Sequence, residues 1–265
     1  MDKRVLEKLK GRIANIEEVP VTAKVLLYSD PGVGKTTAAA LSPKPLIINC
    51  EGGTLCLNKF KEHHPKLDIQ TFRPDNIKEL QEIFWFLKSG EHNRQTVILD
   101  SLSEIQRMSM DEILADPKRD DKYDRDTPIL QDYGKNTQQL RKLVRAFRDL
   151  PMNVVFTCLA GERKDETDGS VKIMPDLTPK LATDVMGYVD VVAYMFVSEE
   201  GGVEGVRKIL TQPKGKYLAK DRSGKLGVGM TEPTMFHVFN SITDGAVKVP
   251  DFIGEIIKEV KNNEG

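Results

Sequence analysis

The stretch Lys24-Val25-Leu26-Leu27-Tyr28-Ser29-Asp30-Pro31-Gly32-Val33-Gly34-Lys35-Thr36-Thr37 decides how the chain is read. Its first five residues, KVLLY, are a short and nearly continuous apolar run, the pattern of a strand buried on both faces. A turn containing Pro31, Gly32 and Gly34 follows, and a helix is predicted to open near Gly34. Strand, glycine-rich turn and helix in that order are the context in which GxxxxGK[ST] binds phosphate. Gly32 and Gly34 let backbone N–H groups turn inward around phosphate oxygens, and the helix start adds partial positive charge. The cradle is predicted to comprise Asp30, Pro31, Gly32, Val33, Gly34, Lys35, Thr36 and Thr37. Lys35 is expected to reach the terminal phosphates and the Thr36 hydroxyl to ligate Mg²⁺. Ser29 stands where the pattern has its first glycine, at a strand end where a small side chain fits.

Outward from this motif, further strand candidates recur at Leu46 to Cys50, Thr96 to Leu99, Val154 to Cys158 and Val189 to Val197. Helical candidates lie between them at Asn76 to Lys88, Ser101 to Ala115 and Gln138 to Leu150. The last places Leu140, Leu143, Val144, Phe147 and Leu150 on one face. Alternating strands and helices predict an α/β fold with a mostly parallel central sheet flanked by helices. Past Val197 a Gly201-Gly202 turn leads to Arg207 to Thr211 and Lys216 to Ala219, read as a late antiparallel β extension. A final amphipathic helix is predicted over about Phe252 to Val260. The organisation expected is an N-terminal segment over 1–20, an ATPase-type core over 21–227 and a C-terminal helical extension over 228–265 packed on the core. Asp116 to Asp132 and Gly161 to Asp176 read as long charged loops, a class that is usually functional or disordered.

Composition narrows the function classes. With 265 residues the chain can bury a sizeable core, which excludes disulfide miniproteins and peptide hormones. Hydrophobic residues at 39% and charged residues at 30% fit neither the disordered nor the membrane class. No apolar run approaches the roughly 18 residues of a membrane span. The formal net charge of −1 means that nucleic acid could be held only by a local basic patch. Cys50, Cys56 and Cys158 are odd in number and form no CxxC pair, the usage expected of reduced thiols in a cytoplasmic protein.

A second element is needed to hold the cation. Val97-Ile98-Leu99-Asp100-Ser101 ends a buried strand on a carboxylate, making Asp100 the candidate Mg²⁺ partner of Thr36. Hydrolysis also needs a base or water-positioning group at a strand end near the phosphate loop. Glu51, which follows Leu46 to Cys50, is that candidate; by pattern alone it is equally a solvated acid leading into the Gly52-Gly53 turn.

The order GVGKTT, strand-Asn49-Cys50-Glu51, VILDSLSEI and VVFTC followed by a charged segment resembles the RecA-core P-loop ATPases, in particular the phage-type nucleotide-binding proteins related to phage single-strand annealing proteins. The resemblance spans roughly Val21 to Gly227. It implies ATP and Mg²⁺ as ligands and Glu51 as the group that activates water. It also implies that Lys220 and Arg222 of Lys220-Asp221-Arg222 project into a neighbouring subunit's site, so that the protein assembles into a ring or filament and a monomer turns over slowly. A solvated KDR turn is the alternative. The family's polar sensor position falls on Leu159, which cannot hydrogen-bond a phosphate, so Thr157 and Glu162 are the candidates to replace it.

By the same resemblance single-stranded DNA would lie along the two charged loops. The first carries Lys118, Arg119, Lys122 and Arg125 against Asp116, Asp120, Asp121, Asp124 and Asp126, a slightly negative sum that is not a phosphate-binding composition, though Tyr123 could stack on a base. The second carries Arg163, Lys164 and Lys172 against Glu162, Asp165, Glu166 and Asp168. Arg141, Arg145 and Arg148 fall along one face of the helix over Gln138 to Leu150. The function expected is therefore a Mg-ATP-binding and hydrolysing protein that binds single-stranded DNA in phage recombination or replication. An ATPase acting on a protein partner, such as a helicase loader, and a nucleotide-gated assembly module are the alternatives.

Overall fold

A computed structural model describes residues 3–11, 13–15, 17, 21–58, 67–119, 122, 124, 126–165, 169–198 and 205–262. The strands are β1 (Lys24–Ser29), β2 (Pro45–Asn49), β3 (Gln70–Phe72), β4 (Thr96–Asp100), β5 (Asn153–Lys164), β6 (Val171–Pro175), β7 (Val191–Ser198), β8 (Val206–Leu210), β9 (Lys220–Asp221) and β10 (Gly229–Thr231). The helices are α1 (Lys3–Lys10), α2 (Lys35–Ala40), α3 (Ile77–Ser89), α4 (Leu102–Ala115), α5 (Leu130–Arg148), α6 (Pro179–Tyr188), α7 (Met235–Ile242) and α8 (Phe252–Asn262). Strand order is β10-β8-β7-β1-β5-β4-β2-β3, with β6 added to β5 and β9 to β7. The stretch from β7 to β3 is parallel throughout, and β8, β10, β6 and β9 run antiparallel to their neighbours. This is the α/β fold that the alternating pattern implies.

Burial follows the period of the strands. Leu26 and Tyr28 of β1 face a cluster that takes in Leu80 of α3, Leu102 and Ile105 of α4, Leu140, Val144 and Phe147 of α5, and Leu181 and Val185 of α6. Val25 and Leu27 face the other way, onto Ala38 to Leu41, Met235, Phe236 and Phe239 of α7, and Ile253 and Ile256 of α8. Both faces of the central strands are thereby covered, which is why their sequences are apolar without alternation.

The expected strands and helices recur with shifted ends, and several elements escaped the pattern. Helix α5 begins at Leu130, well before Gln138; Gly134, Asn136 and Thr137 are weak helix formers, but Asn136 and Asp132 are buried by packing. Within Gly161 to Asp176 the described residues of β5 and β6 pair antiparallel, from Ala160↔Pro175 to Lys164↔Val171. Ile173 and Met174 bury beside the sheet, and the Tyr28 hydroxyl hydrogen-bonds the Ile173 carbonyl at 3.0 Å. Lys216 to Ala219 is not a strand; the antiparallel pairing belongs to β9 just beyond it. Helix α6 opens on Pro179, a residue favoured in the first turn because its missing N–H is not needed there. Tyr123, Arg125, Glu166, Asp168 and the Gly201-Gly202 turn lie outside the described residues.

Among the described residues of Asp116 to Asp132 an ion pair is central. Arg119 Nε and Nη2 donate to Asp132 Oδ2 at 3.2 and 3.0 Å, and Nη1 and Nη2 donate to the Asp124 and Thr127 carbonyls at 2.7 and 2.8 Å. The two side chains are only 4% and 1% exposed. The Ile129 N–H, with desolvation opposing and Arg119 assisting, holds the Asp132 carboxyl below its ordinary range. Arg119 is thus an internal anchor, turned away from any ligand outside. Arg119→Ala strands a buried carboxylate and is expected to lower unfolding stability by about 3–5 kcal/mol. Urea denaturation followed by circular dichroism checks this; a loss below about 1 kcal/mol, the level of a surface pair, contradicts the buried-anchor account.

Candidate functional site

Parallel pairing brings the carboxyl ends of β1, β2, β4 and β5 to one edge. Ser29 lies beside Leu159, Leu27 beside Thr157, Asn49 beside Asp100 and Leu99 beside Phe156. Open α/β sheets bind ligands at this edge. The loop from Asp30 to Gly34 rises from it, with Gly32 at φ +78° and Gly34 at φ +103°. Side chains other than glycine rarely adopt those angles. Helix α2 is only six residues long, so inward loop amides, more than a helix dipole, must carry any anion binding.

Lys35 is buried at the base of this loop. Its Nζ donates to the Ser29 carbonyl, the Ser29 hydroxyl and the Asp30 carbonyl at 3.3, 3.0 and 3.1 Å. Ser29, the departure from the glycine pattern, therefore supplies an oxygen that steadies the lysine. Burial lowers the Lys35 pKa, while Glu51 and Asp100 nearby oppose that shift. Thr36 Oγ1 donates to Asp100 Oδ2 at 2.7 Å. The other carboxylate oxygen, Oδ1, accepts from Thr157 Oγ1 at 2.5 Å. Thr36 and Asp100 offer an all-oxygen donor pair, which fits a hard divalent cation completed by phosphate oxygens and water.

Glu51 joins the same cluster through β2 and β4. The N–H groups of Cys50 and Glu51 donate to the Asp100 carbonyl at 2.8 and 3.3 Å, and Asn49 Oδ1 accepts from the Gly52 N–H at 2.8 Å. Ser101, which also caps α4, donates its hydroxyl to Glu51 Oε1. A carboxylate is thus held at the turn after β2, next to Asp100 and within electrostatic reach of Lys35.

The model for the family described as an AAA domain matches residues 22–223. The chain belongs to that family. This AAA domain protein is accordingly a P-loop ATPase by fold and motif. No curated protein matches the chain.

The remaining predicted residues of the AAA domain protein lie elsewhere. Lys220 and Arg222 are not in the cluster; β9 pairs with Val191 and Val192 at the start of β7, toward the opposite end of the sheet. Lys220 Nζ donates to the Met186 and Val189 carbonyls, and burial lowers its pKa. Arg222 is exposed and donates to the Gly187 carbonyl at 2.7 Å. Both cations therefore cap the carboxyl end of α6 within this chain. Arg141 pairs with Asp184 and Arg148 with Asp149, so their face is partly neutralised; Arg145 is exposed. Arg163 donates to the Leu177 carbonyl at 3.4 Å, Lys172 pairs with Asp165 at 2.8 Å, and Lys164 is exposed near the hairpin tip. Of the two candidates to replace Leu159, Thr157 touches Asp100, whereas Glu162 lies 3.6 Å from Lys216. The bond from Ser101 to Glu51 spans 50 residues and has no signal in sequence spacing.

Among the described residues no helix is long and apolar enough to cross a membrane.

Proposed function

We propose that the protein binds Mg-ATP at Asp30 to Thr37, hydrolyses it with Glu51 as the water-positioning carboxylate, and couples that cycle to single-stranded DNA along the β5–β6 hairpin. The observation that carries the reading is the linked set Thr36–Asp100–Thr157 with Glu51 tied in by Ser101. Lys35 and the loop amides would bind the phosphates, and Thr36 with Asp100 would hold the ion. Bound there, Mg²⁺ supplies Lewis-acid neutralisation of charge on the transferring phosphoryl group. Glu51 would orient the water and take its proton.

Support for the DNA part comes from β5. One strand carries Thr157, in contact with Asp100, and continues without interruption into Arg163 and Lys164 of the hairpin. Assembly into a ring or filament is supported by α1, whose Val5, Leu6 and Leu9 are exposed. Within such an assembly Arg222, the more exposed of the two cations, is the better candidate to act on a neighbour's nucleotide. Action on a protein partner is favoured by one different feature, an apolar groove between α3, α4 and α5 lined by Leu80, Phe84, Trp85 and Leu143.

Titration of labelled single-stranded oligonucleotides, with and without ATP and Mg²⁺, separates these readings. The DNA reading expects binding that ATP strengthens and that weakens steeply with salt. No binding at low salt in either nucleotide state points to the protein-partner reading.

A further inference from the structure

We infer that Arg207 is a positioning residue for the phosphate loop and sets its affinity for a triphosphate. The inference rests on reading Asp30 to Thr37 as a triphosphate site. Arg207 belongs to β8, which is separated from β1 by β7, and lies opposite Val197 in the β7–β8 ladder. From there its side chain spans to the loop, and Nε donates to the Val33 carbonyl at 3.0 Å. Its Nε and Cδ come within 2.9 and 3.4 Å of where a side chain on Gly34 would begin. Gly34 is favoured by its φ of +103°, and a Cβ there would also displace the arginine packed against it.

The geometry has a direct consequence for anion binding. In a trans peptide the C=O and the following N–H point in opposite directions. Arg207 draws the Val33 carbonyl toward β8, so the Gly34 N–H points away from Arg207, as a cradle of inward amides demands. The same residue reaches the C-terminal part of the chain. Its carbonyl accepts the Glu232 N–H at 2.7 Å, and Glu232 adopts a left-handed φ of +47°, uncommon away from glycine. Gly34, Thr37, Arg207, Glu232, Pro233 and Ile257 line one small cleft. The loop's shape is thus braced from the β8 side, while Asp100 and Glu51 lie on the β4 and β2 side. No local motif marks Arg207, which is 174 residues from Val33.

The test uses Arg207→Ala, with Arg207→Gln as the second variant should alanine unfold, and Arg207→Lys as the conservative control. Calorimetry with Mg²⁺ measures the affinity of the full chain for ATP and for inorganic tripolyphosphate; thermal melting is followed without nucleotide. Loss of one hydrogen bond from a charged donor is expected to weaken both probes by a common factor of about ten to a hundred. Lysine should recover most of that loss. Unchanged affinity in a variant whose melting temperature falls would mean that Arg207 only stabilises the fold, and a loss confined to ATP would mean that it contacts the nucleoside; either overturns the inference. If the wild-type chain binds neither probe, the triphosphate reading itself fails, a result distinct from a failure at Arg207.

Discussion

Glu51→Gln is expected to bind ATP with near wild-type affinity and to turn it over about 10²- to 10⁴-fold more slowly, the usual contribution of a positioned general base. The split follows from the local geometry. Ser101 donates to Glu51 Oε1, and the glutamine carbonyl oxygen can accept the same bond, so the turn after β2 keeps its shape. The phosphate loop lies on β1 and α2, which the substitution does not touch. What is removed is the oxygen basicity needed to take a proton from water. Single-turnover phosphate release, set beside nucleotide binding, resolves the two quantities. Equal turnover in variant and wild type would demote Glu51 to a solvated acid at the Gly52-Gly53 turn. A parallel loss of binding would show instead that Glu51 supports the loop.

The second large effect concerns the cation. Asp100→Asn should make nucleotide affinity indifferent to Mg²⁺ and slow hydrolysis by about a hundredfold or more, because a bound metal contributes several kcal/mol to transition-state charge stabilisation. Asp100 uses both carboxylate oxygens, one on Thr36 and one on Thr157. An amide presents donors on one of those sides and carries no charge to hold a divalent ion. The check is nucleotide affinity measured with Mg²⁺ and again with a chelator, wild type against variant. A variant that retains the wild-type response to chelation would remove Asp100 from the metal site.

Other features were legible in part. A run of alternating residues at Val171 and Ile173, preceded by Asp168-Gly169, is a hairpin signal, yet the density of charge between Gly161 and Asp176 made that segment read as a loop. Burial of Ile173 and Met174 outweighed it. The charge count of the first loop, with acids outnumbering bases, says nothing of which groups pair; Arg119 is enclosed by Asp132, thirteen residues on. Lys220 and Arg222 also bond carbonyls at the end of α6, an element that the sequence pattern does not announce.

Residues 24–37 specify their own local form: apolar residues with no alternation, then glycines where φ must be positive, then the start of a helix. Each of those preferences acts over a few bonds, so proximity in the chain is enough to express it. The partnerships that make a site are of another kind. Asp100 lies 64 residues from Thr36 and 57 from Thr157, and Glu51 lies 50 from Ser101. They meet because β4 and β5 enter the sheet between β1 and β2, an order set by the packing of whole elements over two faces. Strand order and the choice of hydrogen-bond partner depend on that collective burial, which no short stretch of the chain encodes.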